Sequence, residues 1–150
     1  MELSSELLKY DLFSDLSKEQ VAKFARCSEI INFKKDDFIF KYHEKADRFY
    51  FLISGKVSLN INAKGNESIP IQTINEGQIL GLSWLTPPYQ WYFDGIAITD
   101  VTAICIDSDC ARHSMEQDYE LGYKLLKRFM ALMSGRLQAT RLQLLDIYSE

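Results

Sequence analysis

The sequence predicts an α+β fold, mainly β: an antiparallel β-roll or jelly roll flanked by an N-terminal helix and a long C-terminal helix. Three observations predict it. Between Glu29 and Asp107 the apolar residues come in short β-rich runs separated by turn signals. Strands of about six residues at such spacing build barrels or sandwiches, whereas βαβ units would place helices between them. From Tyr119 to Tyr148 there is no proline, and the apolar residues change to helical spacing. The 150 residues are 47% hydrophobic and 25% charged, which suits one packed domain and argues against wholesale disorder. The expected boundaries are N-terminal helices over 1–27, the roll over 28–107 and C-terminal helices over 108–150.

At the start, Leu3, Leu7 and Tyr10 recur at helical spacing. Ser17-Lys18-Glu19-Gln20 has the form of a capping box, with Val21, Phe24 and Ala25 as the apolar face behind it, so a helix should end near Cys27. The first strands are expected at Ile30–Phe33 and Phe38–Phe40, broken by Lys34-Lys35-Asp36-Asp37. Phe49 to Ile53 and Val57 to Ile61 flank Ser54-Gly55, the pattern of a tight hairpin turn. Ala63-Lys64-Gly65-Asn66 and Glu76-Gly77 read as further turns, with Ile69, Ile71 and Ile74 on the strand between them. Leu85-Thr86-Pro87-Pro88-Tyr89 interrupts the ladder, because proline lacks the N–H a ladder needs. Phe93 to Ile98 and Val101 to Ile106 resume it, and a short helix is expected from about Asp107 to Met115.

Asp118 is the expected N-cap of the final helix, which at 1.5 Å per residue would span roughly 45 Å and overhang a domain of about 35–40 Å. It carries two apolar rows. Leu121, Leu125, Phe129 and Leu132 form one. Leu126, Met130, Met133, Leu137, Thr140, Leu144 and Ile147 form the other, with alternating steps of four and three that make a heptad seam. One row can cover the strands while the other meets a partner helix, so a homodimer is expected. Thr140, polar on an apolar seam, would set register there.

Charge and composition exclude several classes. The net charge of −4 gives no bulk basic surface for nucleic acid. No apolar run approaches a membrane span, and the acidic N-terminus lacks the form of a signal peptide, so a cytoplasmic location is expected. Cys27, Cys105 and Cys110 lack metal-ligand spacing and are expected as free thiols. Only His43 and His113 are available for metal or triad chemistry, too few for a metalloenzyme barrel, and no serine sits in a nucleophile elbow. No catalytic or metal-binding residue is assigned, and the chain is read as not an enzyme.

Several segments carry a resemblance: Ala46 to Val57, the turns at Gly77 and Gly81, Ser83-Trp84-Leu85 with Pro87-Pro88-Tyr89, and Arg136-Leu137-Gln138-Ala139-Thr140. Together they resemble the cyclic nucleotide-binding sensor domain of the Crp/Fnr superfamily, in its stand-alone bacterial form. No helix-turn-helix follows the seam, so direct DNA binding is not expected. The resemblance implies a regulatory role, cyclic AMP, cyclic GMP or a related small ligand, and an unidentified protein partner.

In that family a phosphate cassette supplies a Gly, a Glu for the ribose hydroxyl and an Arg for the cyclic phosphate. A charge-assisted pair in a partly buried site is worth far more than a neutral contact. Here Gly81 matches the Gly, but Leu82 stands at the Glu position and Trp91 or Tyr92 at the Arg position. No Lys or Arg occurs from Gly65 to Ala111, and Gln90 stands where relatives often carry Arg. The expected ligand-facing residues are Gly81, Leu82, Ser83, Gln90, Trp91, Tyr92, Thr140 and Arg141. Trp84 and Trp91 either line a rebuilt pocket for a less charged, aromatic ligand or fill a redundant one. His43 replaces a Gly of the family at a position suited to positive φ. The reading is a small-molecule sensor with an altered phosphate site, or a degenerate domain that serves as a dimeric interaction module.

Overall fold

The computed structural model describes residues 3–62 and 68–148. The turn expected at Ala63-Lys64-Gly65-Asn66 lies outside the described residues. The chain opens with α1 (Leu3–Leu7), a 3₁₀ turn (Asp11–Phe13) and α2 (Lys18–Arg26). Ser17 caps α2 as expected: its hydroxyl accepts from the Gln20 N–H (3.2 Å), while the Gln20 side chain accepts from the Ser17 N–H (3.0 Å).

The strands follow as β1 (Ser28–Phe33), β2 (Phe38–Phe40), β3 (Arg48–Ser54), β4 (Val57–Asn62), β5 (Ser68–Ile74), β6 (Ile79–Leu80), β7 (Asp94–Ala97) and β8 (Val101–Asp107). They form two four-stranded antiparallel sheets, ordered β1-β8-β3-β6 and β2-β7-β4-β5. The first sheet is buried on both faces: Phe49 and Phe51, with their cross-strand partners Ile106 and Ile104, lie on the face that packs against Tyr10, Phe13 and Phe129, while Tyr50 and Leu52 are buried on the opposite face. The hairpin turn at Ser54-Gly55 needs glycine twice over. Its φ is +96°, and a Cβ there would lie 2.3 Å from the Asp100 carbonyl oxygen.

After the roll come α3 (Ser108–Gln117) and α4 (Tyr119–Tyr148). Asp107 caps α3 by accepting from the Cys110 N–H (2.9 Å). Asp118 caps α4 by accepting from the Leu121 N–H (3.1 Å), and its other carboxylate oxygen meets Lys23 Nζ at 3.1 Å. These contacts hold the carboxyl below its usual range, with the Leu121 N–H the largest cause. Arg128 fastens α4 to the 3₁₀ turn, donating to Asp15 (2.9 Å), Asp11 (3.2 Å) and Ser14 (2.9 Å).

The two apolar rows of α4 separate. Leu121, Leu125 and Phe129 are buried and Leu132 is 38% exposed. The seam residues Leu126, Met130, Met133, Leu137, Leu144 and Ile147 are all between 48% and 69% exposed. From Ala131 to Tyr148 every residue is exposed except Arg136.

Two of the three cysteines depart from expectation. Cys27 and Cys110 are joined as a disulfide, and only Cys105 is a free thiol. The β1–β8 pairing, which sets Ser28 against Ile106, brings the end of α2 beside the start of α3. A separation of 83 residues gave no sign of that. Burial raises the Cys105 thiol to about 11, so it is an unreactive core group.

Candidate functional site

The phosphate cassette begins where β6 runs into Gly81, whose φ is +100°. A Cβ at this position would lie 2.6 Å from Trp91 Cη2 and 2.8 Å from Trp91 Cζ3. The indole therefore rests directly on the glycine. The indole also stacks on Phe40, with centroids 3.8 Å apart and planes 12° from parallel. Phe40 in turn lies on Gly95, where a Cβ would come within 2.8 Å of the ring. Two glycines, Gly81 and Gly95, thus make room for the ends of two stacked rings, Trp91 and Phe40. Trp91 is 4% exposed.

Trp84 is equally enclosed. It is fully buried, stacks on Phe49 (4.1 Å, 5°) and meets the edge of Phe129 of α4 (5.4 Å, 81°). Its Nε1–H has no hydrogen-bond partner. Both tryptophans are thus enclosed by other rings: Trp91 by Phe40, and Trp84 between Phe49 of the roll and Phe129 of the final helix.

The cassette's backbone is also engaged. The His43 N–H donates to the Trp91 carbonyl (2.9 Å), the Trp91 N–H to the Glu44 carbonyl (2.9 Å) and the Ala46 N–H to the Tyr89 carbonyl (2.7 Å). His43 keeps positive φ, at 73°, so the loop holds the conformation that glycine would favour. Leu82 and Ser83 are half-buried, Gln90 is exposed and Tyr92 is 54% exposed.

One cation does reach the cassette, and sequence reasoning missed it. Arg112 of α3 donates to the Trp84 carbonyl (2.6 Å), pairs with Asp109 and lies 4.3 Å over the Tyr89 ring. Its position just beyond the cation-free interval was the only signal. These contacts commit it to bracing the cassette turn. With Trp91 against Gly81 and Arg112 committed to the turn, the cassette lacks the Glu and Arg with which the family holds a cyclic phosphate, and the cations beside Trp91 among the described residues are Lys45 and Arg48.

The final helix contributes differently from expectation. The Thr140 hydroxyl donates to the Arg136 carbonyl one turn back (3.0 Å), and Arg141 is exposed. Among the described residues neither shares a hydrogen bond with Gly81, Leu82, Ser83, Gln90, Trp91 or Tyr92. Arg136 is the residue that reaches the roll: its guanidinium donates to the Ile79 carbonyl (2.7 Å).

Two surface clefts among the described residues bear on these side chains. One, of about 290 Å³, has a rim that includes Glu44, Lys45, Asp47 and Arg48 and a floor formed by Tyr50 and Trp91. The other, of about 460 Å³, lies between α4, the 3₁₀ turn and the β5–β6 turn, and contains Arg136. None of the eight residues expected from the sequence lines the larger cleft.

Comparison with known proteins agrees with the architecture. A solved protein from Geobacter metallireducens, described as cyclic nucleotide-binding, superposes with a TM-score of 0.82 at 28% identity, covering 91% of this chain and 99% of its own. The sensor domain of the transcriptional regulator DNR from Pseudomonas aeruginosa shares the fold, with a TM-score of 0.76 at 20% identity over 92% of this chain and 95% of its own. A CRP-like cAMP-activated global transcriptional regulator of Mycobacterium tuberculosis is 23% identical over 141 residues, 94% of this chain. The chain spans 61% of the length of that relative. The profile of the cyclic nucleotide-binding domain matches residues 30–118, more than half of the chain. With the two-sheet roll, the Gly81 cassette and the docked final helix, this places the chain in the cyclic nucleotide-binding domain family.

Proposed function

We propose that this chain is a non-catalytic regulatory domain, a small-molecule sensor that works as a homodimer and whose phosphate cassette has been converted into core. The observation that carries the reading is the Trp91 indole seated on Gly81. In a ligand-ready cassette that volume would be open to the cyclic phosphate and faced by a cation. Here a neutral ring fills it, and Arg112, the guanidinium that reaches the cassette turn, is spent on a carbonyl, a carboxylate and an aromatic face.

The exposed seam on α4 supports the dimer. A helix face of Leu, Met and Ile at heptad spacing gains most by packing against its own copy across a two-fold axis. Signalling would then run through α4. A ligand that binds one orientation of this helix better than another shifts the population of that orientation, and a partner protein reads it.

Calorimetric titration with cyclic AMP and cyclic GMP tests the cassette. The expected result is no heat and no thermal shift at millimolar nucleotide. Micromolar binding lost on Trp84→Ala or Thr140→Ala would overturn the reading, because the cassette would then be serving its ancestral ligand. A second reading, a scaffold that ignores all small molecules, is favoured by the complete burial of Trp84. It predicts silence towards every ligand and not merely towards cyclic nucleotides.

A further inference from the structure

The larger cleft differs in kind from the cassette. Its volume of about 460 Å³ falls within the range of small-molecule sites. Its walls are mostly apolar: Tyr10 and Leu12 on one side, Ile74 at the end of β5, and Leu132 on α4. Gly135 also lines it and leaves the helix side bare.

Two arginines of α4 line this cleft, and their situations are opposite. Arg128 is matched by Asp11, Asp15 and Ser14. Arg136 has one hydrogen bond, to the Ile79 carbonyl, and no carboxylate within 4 Å among the described residues. Removal from water costs it stability, which shows as a pKa lowered by desolvation alone. A guanidinium carries five N–H donors in a planar fork, so most of its capacity is unspent. A half-buried cation at the edge of an apolar cleft is a costly arrangement unless an anion completes it.

We infer that this cleft is a binding site for a small amphipathic carboxylate, its head group held by Arg136 and its apolar body lying against Leu12, Ile74 and Leu132. A carboxylate matches the two-pronged geometry of a guanidinium. A single uncommitted cation, with the Asp11 carboxylate also on the rim, fits a monoanion better than a phosphate dianion. The bound molecule would bridge α4 to the β5–β6 turn beside the existing Arg136–Ile79 link. It would thus hold the exposed half of the helix against the roll. This names the ligand class and place for the sensor proposed above and depends on the sensor reading; it does not depend on how the cassette responds to cyclic nucleotides.

The test uses decanoate and its neutral counterpart decanamide, titrated calorimetrically into the whole chain. Wild-type protein should bind decanoate at least tenfold more tightly than decanamide. Arg136→Met should weaken decanoate at least tenfold and leave decanamide unchanged. Gly135→Leu supplies a variant that cannot fail merely by unfolding: a Cβ there meets nothing within 4 Å, and leucine is a better helix former than glycine. It should abolish binding of both probes while the melting temperature holds or rises. Absence of decanoate binding to wild type overturns the proposal, as does undiminished binding to Gly135→Leu. Equal affinity for decanoate and decanamide overturns the assignment to Arg136. Cyclic nucleotide titration is a separate arm, so failure here and failure of the cassette reading are told apart.

Discussion

The two halves of α4 carry similar apolar sequence and have different fates. From Tyr119 to Met130 the helix lies on the roll, with Leu121, Leu125 and Phe129 buried. From Ala131 to Tyr148 only Arg136 is less than exposed. Leucine is as frequent in the second half as in the first, so composition does not decide which part docks. What decides is the surface beneath. The first half meets Phe49 and Trp84 of the roll, and Arg128 clamps it to the 3₁₀ turn. The second half makes one hydrogen bond to the roll among the described residues, to the Ile79 carbonyl, and otherwise borders the open cleft. An apolar helix face thus reports that a partner surface is needed, without reporting whose.

The same kind of substitution should therefore act differently on the two halves. Phe129→Ala should lower unfolding stability by about 3–5 kcal/mol, because the cavity it leaves borders Trp84 and Phe49. Leu137→Asp should leave the fold's stability within about 0.5 kcal/mol for a protomer and abolish dimerisation instead. Urea melts and light scattering of both variants separate these outcomes. A wild type that is monomeric throughout would remove the homodimer from the proposal.

A smaller effect concerns the platform on which the first half rests. Reducing the Cys27–Cys110 bond, or replacing both with Ala, releases a covalent loop between α2 and α3. The expected loss is roughly 2–4 kcal/mol, read from urea midpoints with and without reductant. Unchanged midpoints would mean the bond adds nothing to the non-covalent packing.

The smallest effect is acid sensitivity at the start of the helix. The Asp118 carboxyl is held below its usual range by the Leu121 N–H, Lys23 and Gln20. Its stabilisation is therefore present above the ordinary carboxylate pKa of about 3.9 and is lost as the pH falls through the lowered folded value. Asp118→Asn should flatten the acid limb of the stability curve, since asparagine caps without titrating. No change in that limb would place the acid sensitivity in other carboxylates.

Much of the scaffold was legible because its signals are local. The Ser17–Gln20 capping box, the Gly55 turn, the Asp118 cap and the heptad steps each depend on residues a few positions apart. The cassette's departure from the family's residue pattern is itself a fact of sequence, an absence of cations from Gly65 to Ala111. What remained closed depends on distant residues meeting. Whether a tryptophan lines or fills a pocket depends on Phe40, Phe49 and Gly81, all remote in sequence from it or from one another. The disulfide needed the β1–β8 register, and Arg112 needed the angle of α3. The larger cleft is walled by the N-terminal turn, β5, β6 and α4 together, and no window of sequence contains it. The sequence placed Arg136 on the final helix, but its contact with the Ile79 carbonyl and its lack of a carboxylate partner among the described residues were visible only in three dimensions.

The enclosure of Trp84 and Trp91 has a practical consequence. They are the only two tryptophans in the chain, and both are buried. Intrinsic fluorescence excited at the indole band is thus a native optical probe of these buried sites, free of any signal from the exposed half of α4. Trp84, edge-on to Phe129, should respond when the first half of the helix lifts away. Association through the seam alone should leave the emission unchanged. Fluorescence and light scattering recorded on one sample would then watch the two halves of α4 independently, with no label attached.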